Sequence, residues 1–206
     1  MKKTEIEQNF DYAHYTFMTG TQTFHGVDMI LSNMIDNFKD VTSHPCGTFS
    51  YTNDMIARNA ISDTAIIMSH SLLEGFFHEE YEFYLKNKNT KKPKQLSGLI
   101  NTLLHAHNIN IRDQKKRMNV INMITLLRNS VVHSNGTLNT DFNKEKCEKI
   151  LGEDLFKHSD SYPRLTLTKS LWLLREYQSI AHEYSKAVFD KATEHEASCL
   201  GQSDMN

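Results

Sequence analysis

The chain has 206 residues, with 23 Lys plus Arg against 25 Asp plus Glu and a formal charge of -2. That length suits one domain with its own hydrophobic core. The charge balance excludes a uniformly basic protein that coats nucleic acid, so any contact with RNA or DNA must come from local patches.

Eight Gly and three Pro are too few for a sandwich or barrel with many tight turns, and the apolar residues recur mostly at three- and four-residue spacing. The expected fold is all-α, with residues 1–196 forming one helical domain and 197–206 a frayed tail.

In chain order, residues 6–38 keep helical spacing through Phe10, Tyr15, Phe17, Met29, Ile30, Met34, Ile35 and Phe38. Gly20 to Gly26 are expected to divide this run into two helices, and 42–47 reads as a loop.

A second helix is predicted from a cap at Asn53 or Asp54 to Leu85 and is expected to be the longest. It carries Ile56, Ile61, Ala65, Ile66, Leu73, Phe77, Tyr81 and Tyr84. The lysine-rich connection 86–94 follows, then a short helix, Leu96 to Ala106, and a turn at 108–110.

The basic run 112–117 leads into a fourth helix, Met118 to about Ser134, with Asn135-Gly136 as its stop. The segment up to Pro163 is polar, with at most a short helix at 143–151. A last helix is predicted from Thr168 to Glu194, with Leu171, Leu173, Leu174, Tyr177, Ile180, Ala181, Tyr184 and Val188 on its apolar side.

Cys46, Cys147 and Cys199 are odd in number, widely spaced and never in a CxxC pair, which argues for a reducing cytoplasm and against a disulfide framework or zinc knuckle. The N-terminus lacks the apolar stretch of a signal peptide, and no run approaches the roughly 18–20 apolar residues of a membrane span.

Near the end of the fourth helix the apolar pattern is interrupted by Arg128, Asn129 and His133. On a helical wheel Val120, Ile124, Leu127 and Val131 share a side, with Arg128 on its flank and Asn129 turned away. A guanidinium there needs a partner, and Glu74, on the apolar side of the second helix with Ile67, Phe77 and Tyr81, is the candidate.

His133 stands about 140° from Arg128 around the wheel, at about 100° per residue, so one straight helix does not aim both at one point. Either the helix end bends the imidazole inward or a second subunit completes the site. In the last turn the helix dipole favours the protonated ring, which suits it to acid or base work.

The motif Arg128-Asn129-Ser130-Val131-Val132-His133 resembles that of the HEPN superfamily of ribonucleases, and the stretch 71–81 around Glu74 is similar to that family's preceding helix. The resemblance covers roughly residues 61–136. It implies a four- to five-helix up-down bundle of HEPN type and a homodimer whose motif helices face each other. It also implies endoribonuclease activity without metal or cofactor, as a toxin or antiviral effector; whether a cognate antitoxin is a further partner stays open.

In that picture Arg128 stabilises the charged phosphorane, His133 moves the proton, and Asn129 holds the phosphate or the histidine, with Glu74 behind Arg128 and Ser130 a weaker contact. Lys91, Lys92, Lys94, Lys115, Lys116 and Arg117 could guide the RNA backbone.

Two other classes stay open. One is a catalytically silent helical module that binds nucleotide, RNA or protein through Arg128; the other is a purely structural dimerising protein. His70, Glu74 and His78 share a face four residues apart, a spacing that could hold a metal, but no ExxH partner helix is evident. His105 and His107 read as ordinary polar residues.

Overall fold

The computed structural model describes residues 5–43, 51–88, 91–133 and 165–203. Among them are five α-helices: α1 (Glu5–Ser43), α2 (Tyr51–Tyr84), α3 (Leu96–Ala106), α4 (Gln114–His133) and α5 (Leu167–Ser203), with one 3₁₀ turn at Lys86–Lys88. The fold is all-α. The expected stop at Asn135-Gly136, the short helix at 143–151, and Cys46 and Cys147 fall outside the described residues.

α1 does not break at its glycines. Phe24, Val27, Leu31 and Ile35 are buried along one seam, at about 1.5–3 kcal/mol for each large apolar side chain. A glycine inside a helix costs only about 1 kcal/mol, so tertiary packing outweighs the local preference. At 39 residues α1 exceeds α5 with 37 and α2 with 34, the reverse of the expected order. α5 also continues past Glu194 to Ser203, so the frayed tail expected from residue 197 is helical through most of its length.

The directions of the helices follow from their contacts. Tyr12 stacks on Phe83 while Ile35 clusters with Ile61, so α1 and α2 are antiparallel. Asp28 accepts from Arg175 at 2.8 Å while His14 meets Phe189, so α1 and α5 are antiparallel too. Ser62 accepts from the Leu165 N–H at 2.9 Å while Phe77 packs on Tyr184, which makes α2 and α5 parallel.

α4 lies antiparallel to α5, since Arg112 and Arg117 reach Glu183 while Arg117 also reaches Glu176. α3 in turn lies antiparallel to α4, with Ser97 bonded to Asn122 and Asn101 to Gln114. Hence α3 repeats the direction of α2 and does not alternate as a plain up-down bundle would. The intervening connection doubles back: Lys92 reaches Glu82 at 2.9 Å and lies over the Tyr81 ring.

α3 begins and ends where the sequence places it. Its end is a Schellman turn: Ile109 N–H donates to Leu104 O at 2.8 Å and Asn108 N–H to His105 O at 3.0 Å. Asn108 takes φ 52°, the left-handed conformation that asparagine tolerates. Ile109 and Leu104, the residues this motif brings into apolar contact, are both buried.

The core runs through all five helices. Its largest fully buried side chains include Tyr177, Tyr184, Phe24, Phe77, Leu73, Leu103 and Ile121. No described helix is long and apolar enough to cross a membrane.

Candidate functional site

α2 and α4 meet through polar side chains as well as apolar ones. His70, on the core-facing side of α2, is only 2% exposed. Its Nε2 lies 2.9 Å from Thr125 Oγ1 of α4. The threonine hydroxyl has one proton, and it goes to Ile121 O at 2.7 Å. The imidazole must therefore donate from Nε2.

With Nε2 carrying a proton, Nδ1 of the neutral ring is a bare acceptor. It is buried and has no hydrogen-bond partner. Facing it at 3.7 Å is Oε2 of Glu74, one helical turn on and partly exposed to solvent. Burial lowers the pKa of His70, Glu74 raises it, and Arg128 lowers it again; the net direction is down, so the ring is neutral at pH 7.

Arg128 thus acts on His70 from α4. Its Nη1 donates to Asn129 Oδ1 at 3.2 Å, whereas its Nε is buried without an acceptor. The direct Glu74–Arg128 ion pair expected from the sequence is not among the ion pairs of the described residues. Glu74 instead faces His70 at 3.7 Å, and Asn129, expected to turn away, contacts the guanidinium.

The structure therefore brings Glu74, Arg128 and Asn129 together around two residues that the motif does not contain, His70 and Thr125. The signal for them was present. His70 precedes Glu74 by four and Thr125 precedes Arg128 by three, so each shares a helix face with its neighbour. His133 closes α4, and its side chain, like that of Ser130, lies outside the described residues. No group of three or more metal-ligating side chains occurs among the described residues, and His70, Glu74 and His78 do not form one.

The basic residues divide. Lys91, Lys94, Lys115 and Lys116 are exposed, while Lys92 is tied to Glu82. Arg117 departs from the expectation of a surface contact. It is 3% exposed, with Nε 2.8 Å from Glu176 Oε1, Nη1 2.9 Å from Glu183 Oε1 and Nη2 donating to Ser179 at 3.0 Å. The reason is helical register: Arg117 shares the buried face of Ile121 and Ile124, so its charge is met by α5 and not by solvent.

At the start of α4, Lys115 borders two open grooves of about 480 and 550 Å³, and Lys116 borders the first of them. They lie roughly 20 Å along the helix from Arg128, at about 1.5 Å per residue. Comparison of the chain with protein-family models, with curated proteins and with solved structures gives no match in any of the three.

Proposed function

We propose that this chain is a metal-independent endoribonuclease of HEPN type. It acts as a cytoplasmic homodimer, in the role of a toxin or phage-defence effector. The observation that carries this reading is the buried Arg128 Nε without an acceptor, on a guanidinium braced by Asn129 and set across from Glu74 and His70. An unmet N–H on a cation favours an anionic acceptor, and a phosphodiester oxygen is one.

In the proposed reaction the RNA 2'-hydroxyl attacks the adjacent phosphorus and the 5'-oxygen departs, leaving 2',3'-cyclic phosphate and 5'-hydroxyl ends. Arg128 stabilises the added negative charge on the phosphorane. His133 takes the 2'-hydroxyl proton or gives one to the leaving oxygen. Two copies of α4 facing each other across a two-fold axis would supply both groups to one phosphate. Lys91, Lys94, Lys115 and Lys116 steer the strand by charge.

The test is cleavage of single-stranded RNA in EDTA. Wild type should generate cyclic-phosphate ends and slow bacterial growth on expression, and His133→Ala and Arg128→Gln should do neither. Undiminished cleavage by His133→Ala would retire the reading. Absence of cleavage with RNA binding that still depends on Arg128 would favour the silent binding module.

A further inference from the structure

We propose that the polar cluster of His70, Glu74 and Arg128 where α2 meets α4 is a phosphodiester-binding site in which each bound phosphate is accompanied by a proton taken up at His70. The proposal rests on the reading of Arg128 as the phosphate anchor and adds to it a proton balance set by residues outside the motif.

The charges of the cluster must balance when an anion joins it. The groups acting on His70 are Glu74 on its own helix and Arg128 on α4. One carboxylate, one guanidinium and a neutral imidazole sum to zero. A phosphodiester arriving at Arg128 would add one negative charge beside the carboxylate of Glu74, leaving the cluster one negative charge in excess.

A proton on His70 cancels that excess, and the geometry has a place for it. Nδ1 is buried, without a hydrogen-bond partner, and 3.7 Å from the Glu74 carboxylate. Nε2 is already engaged by Thr125 as a donor, so protonation needs no ring flip. Once protonated, Nδ1–H points at Glu74, and the negative charge that opposed the phosphate becomes a neutral pair.

Without phosphate the positive charge of Arg128 discourages that proton. With phosphate bound, Arg128 is compensated and its opposition ends. By reciprocity, whatever factor the anion adds to proton affinity, the proton adds to anion affinity. His70 touches no substrate atom and is a positioning residue that sets the charge of Glu74 and, through it, of the site.

The probe is a 2'-deoxy dinucleotide, whose single phosphodiester keeps its charge across the neutral range and cannot be cut by 2'-hydroxyl attack. Calorimetry in buffers of different ionisation enthalpy should give uptake approaching one proton per dinucleotide near pH 7. Affinity should then fall by up to about tenfold per pH unit above neutrality. The His70 ring resonances should move from the neutral to the protonated form as the dinucleotide is added.

His70→Asn and Glu74→Gln should each bind with an affinity that no longer depends on pH, and Arg128→Gln should not bind. Glu74 is partly exposed, so its variant serves where His70→Asn does not fold. Wild-type binding without proton uptake, a pH slope that survives in Glu74→Gln, or no binding at all overturns the proposal. Because the probe is not a substrate, binding without proton uptake leaves the ribonuclease reading intact. Failure to cleave RNA retires that reading while the proton balance still stands or falls by calorimetry.

Discussion

His70 of α2 and Thr125 of α4 are joined by a hydrogen bond of 2.9 Å whose direction is fixed by the next bond in the chain, from the Thr125 hydroxyl to Ile121 O at 2.7 Å. The imidazole is thereby held as its Nε2–H tautomer in a site almost closed to water. This pair links the helix that carries Glu74 to the helix that carries Arg128.

Thr125→Val keeps the shape of the side chain and removes the acceptor. The His70 Nε2–H is then buried unsatisfied, at a cost of about 1–3 kcal/mol. Thr125→Ser restores the hydroxyl and should recover most of that loss. Urea denaturation of the two variants against wild type decides it, and equal stability of the valine variant would mean that the bond contributes nothing.

Arg117 offers a second test of the fold. Its guanidinium is shared between Glu176 and Glu183, with Ser179 completing the contact. Arg117→Ala leaves two half-buried carboxylates facing each other and should cost about 3 kcal/mol. Lys115→Ala and Lys116→Ala, on the exposed neighbours, should stay within about 0.5 kcal/mol. Chemical denaturation of the three variants would separate the roles, and a neutral Arg117→Ala would return that residue to the surface set.

RNA binding should rank the same residues in the opposite order. Each exposed lysine that meets a phosphate contributes roughly 0.7 to the slope of log affinity against log salt on single strands. Lys115→Ala and Lys116→Ala should each flatten that slope by about this amount. Slopes identical to wild type would remove the start of α4 from the RNA path.

These contrasts mark what the sequence could convey. α3 was legible to its ends because Asn108 in its Schellman turn is a strong local stop signal. The continuity of α1 was not legible, since glycine spacing is a local cue and the seam of Phe24, Val27, Leu31 and Ile35 works only against two partner helices. Arg128, Asn129 and Glu74 stand out in the sequence as polar groups on or beside apolar helix faces, but their spatial relation does not. A wheel gives the face of one helix, whereas the contact of His70 with both Glu74 on α2 and Thr125 on α4 depends on the register of α2 against α4. Arg117 differs from its neighbours in the basic run 112–117 for a related reason: the i, i+4, i+7 spacing of Arg117, Ile121 and Ile124 places it on the buried side.

His107, which the sequence presents as an ordinary polar residue, should make the protein sensitive to acid. Its ring sits edge-on to Tyr84 at 4.5 Å and near Tyr184, with Nε2 buried and lacking a partner. Burial is the main cause that brings its pKa down from 6.5 to about 4, and the positive charges of Lys88 and Lys191 add to the effect. Lys191 is held close by donating to the carbonyls of His107 and Asn108 at 2.7 and 2.9 Å. Between pH 4 and 6.5 the unfolded chain binds more protons than the folded one at this residue, so stability rises with pH through that window. The contribution is complete above about pH 6.5 and is lost as pH falls toward 4, amounting to no more than about 3 kcal/mol. The lowered pKa of His70 acts in the same direction. His107→Phe keeps a ring against Tyr84 and Tyr184 and abolishes the titration. Urea midpoints measured at pH 7.5 and pH 5 should therefore drop less for His107→Phe than for wild type, and an unchanged drop would show that the acid sensitivity originates elsewhere.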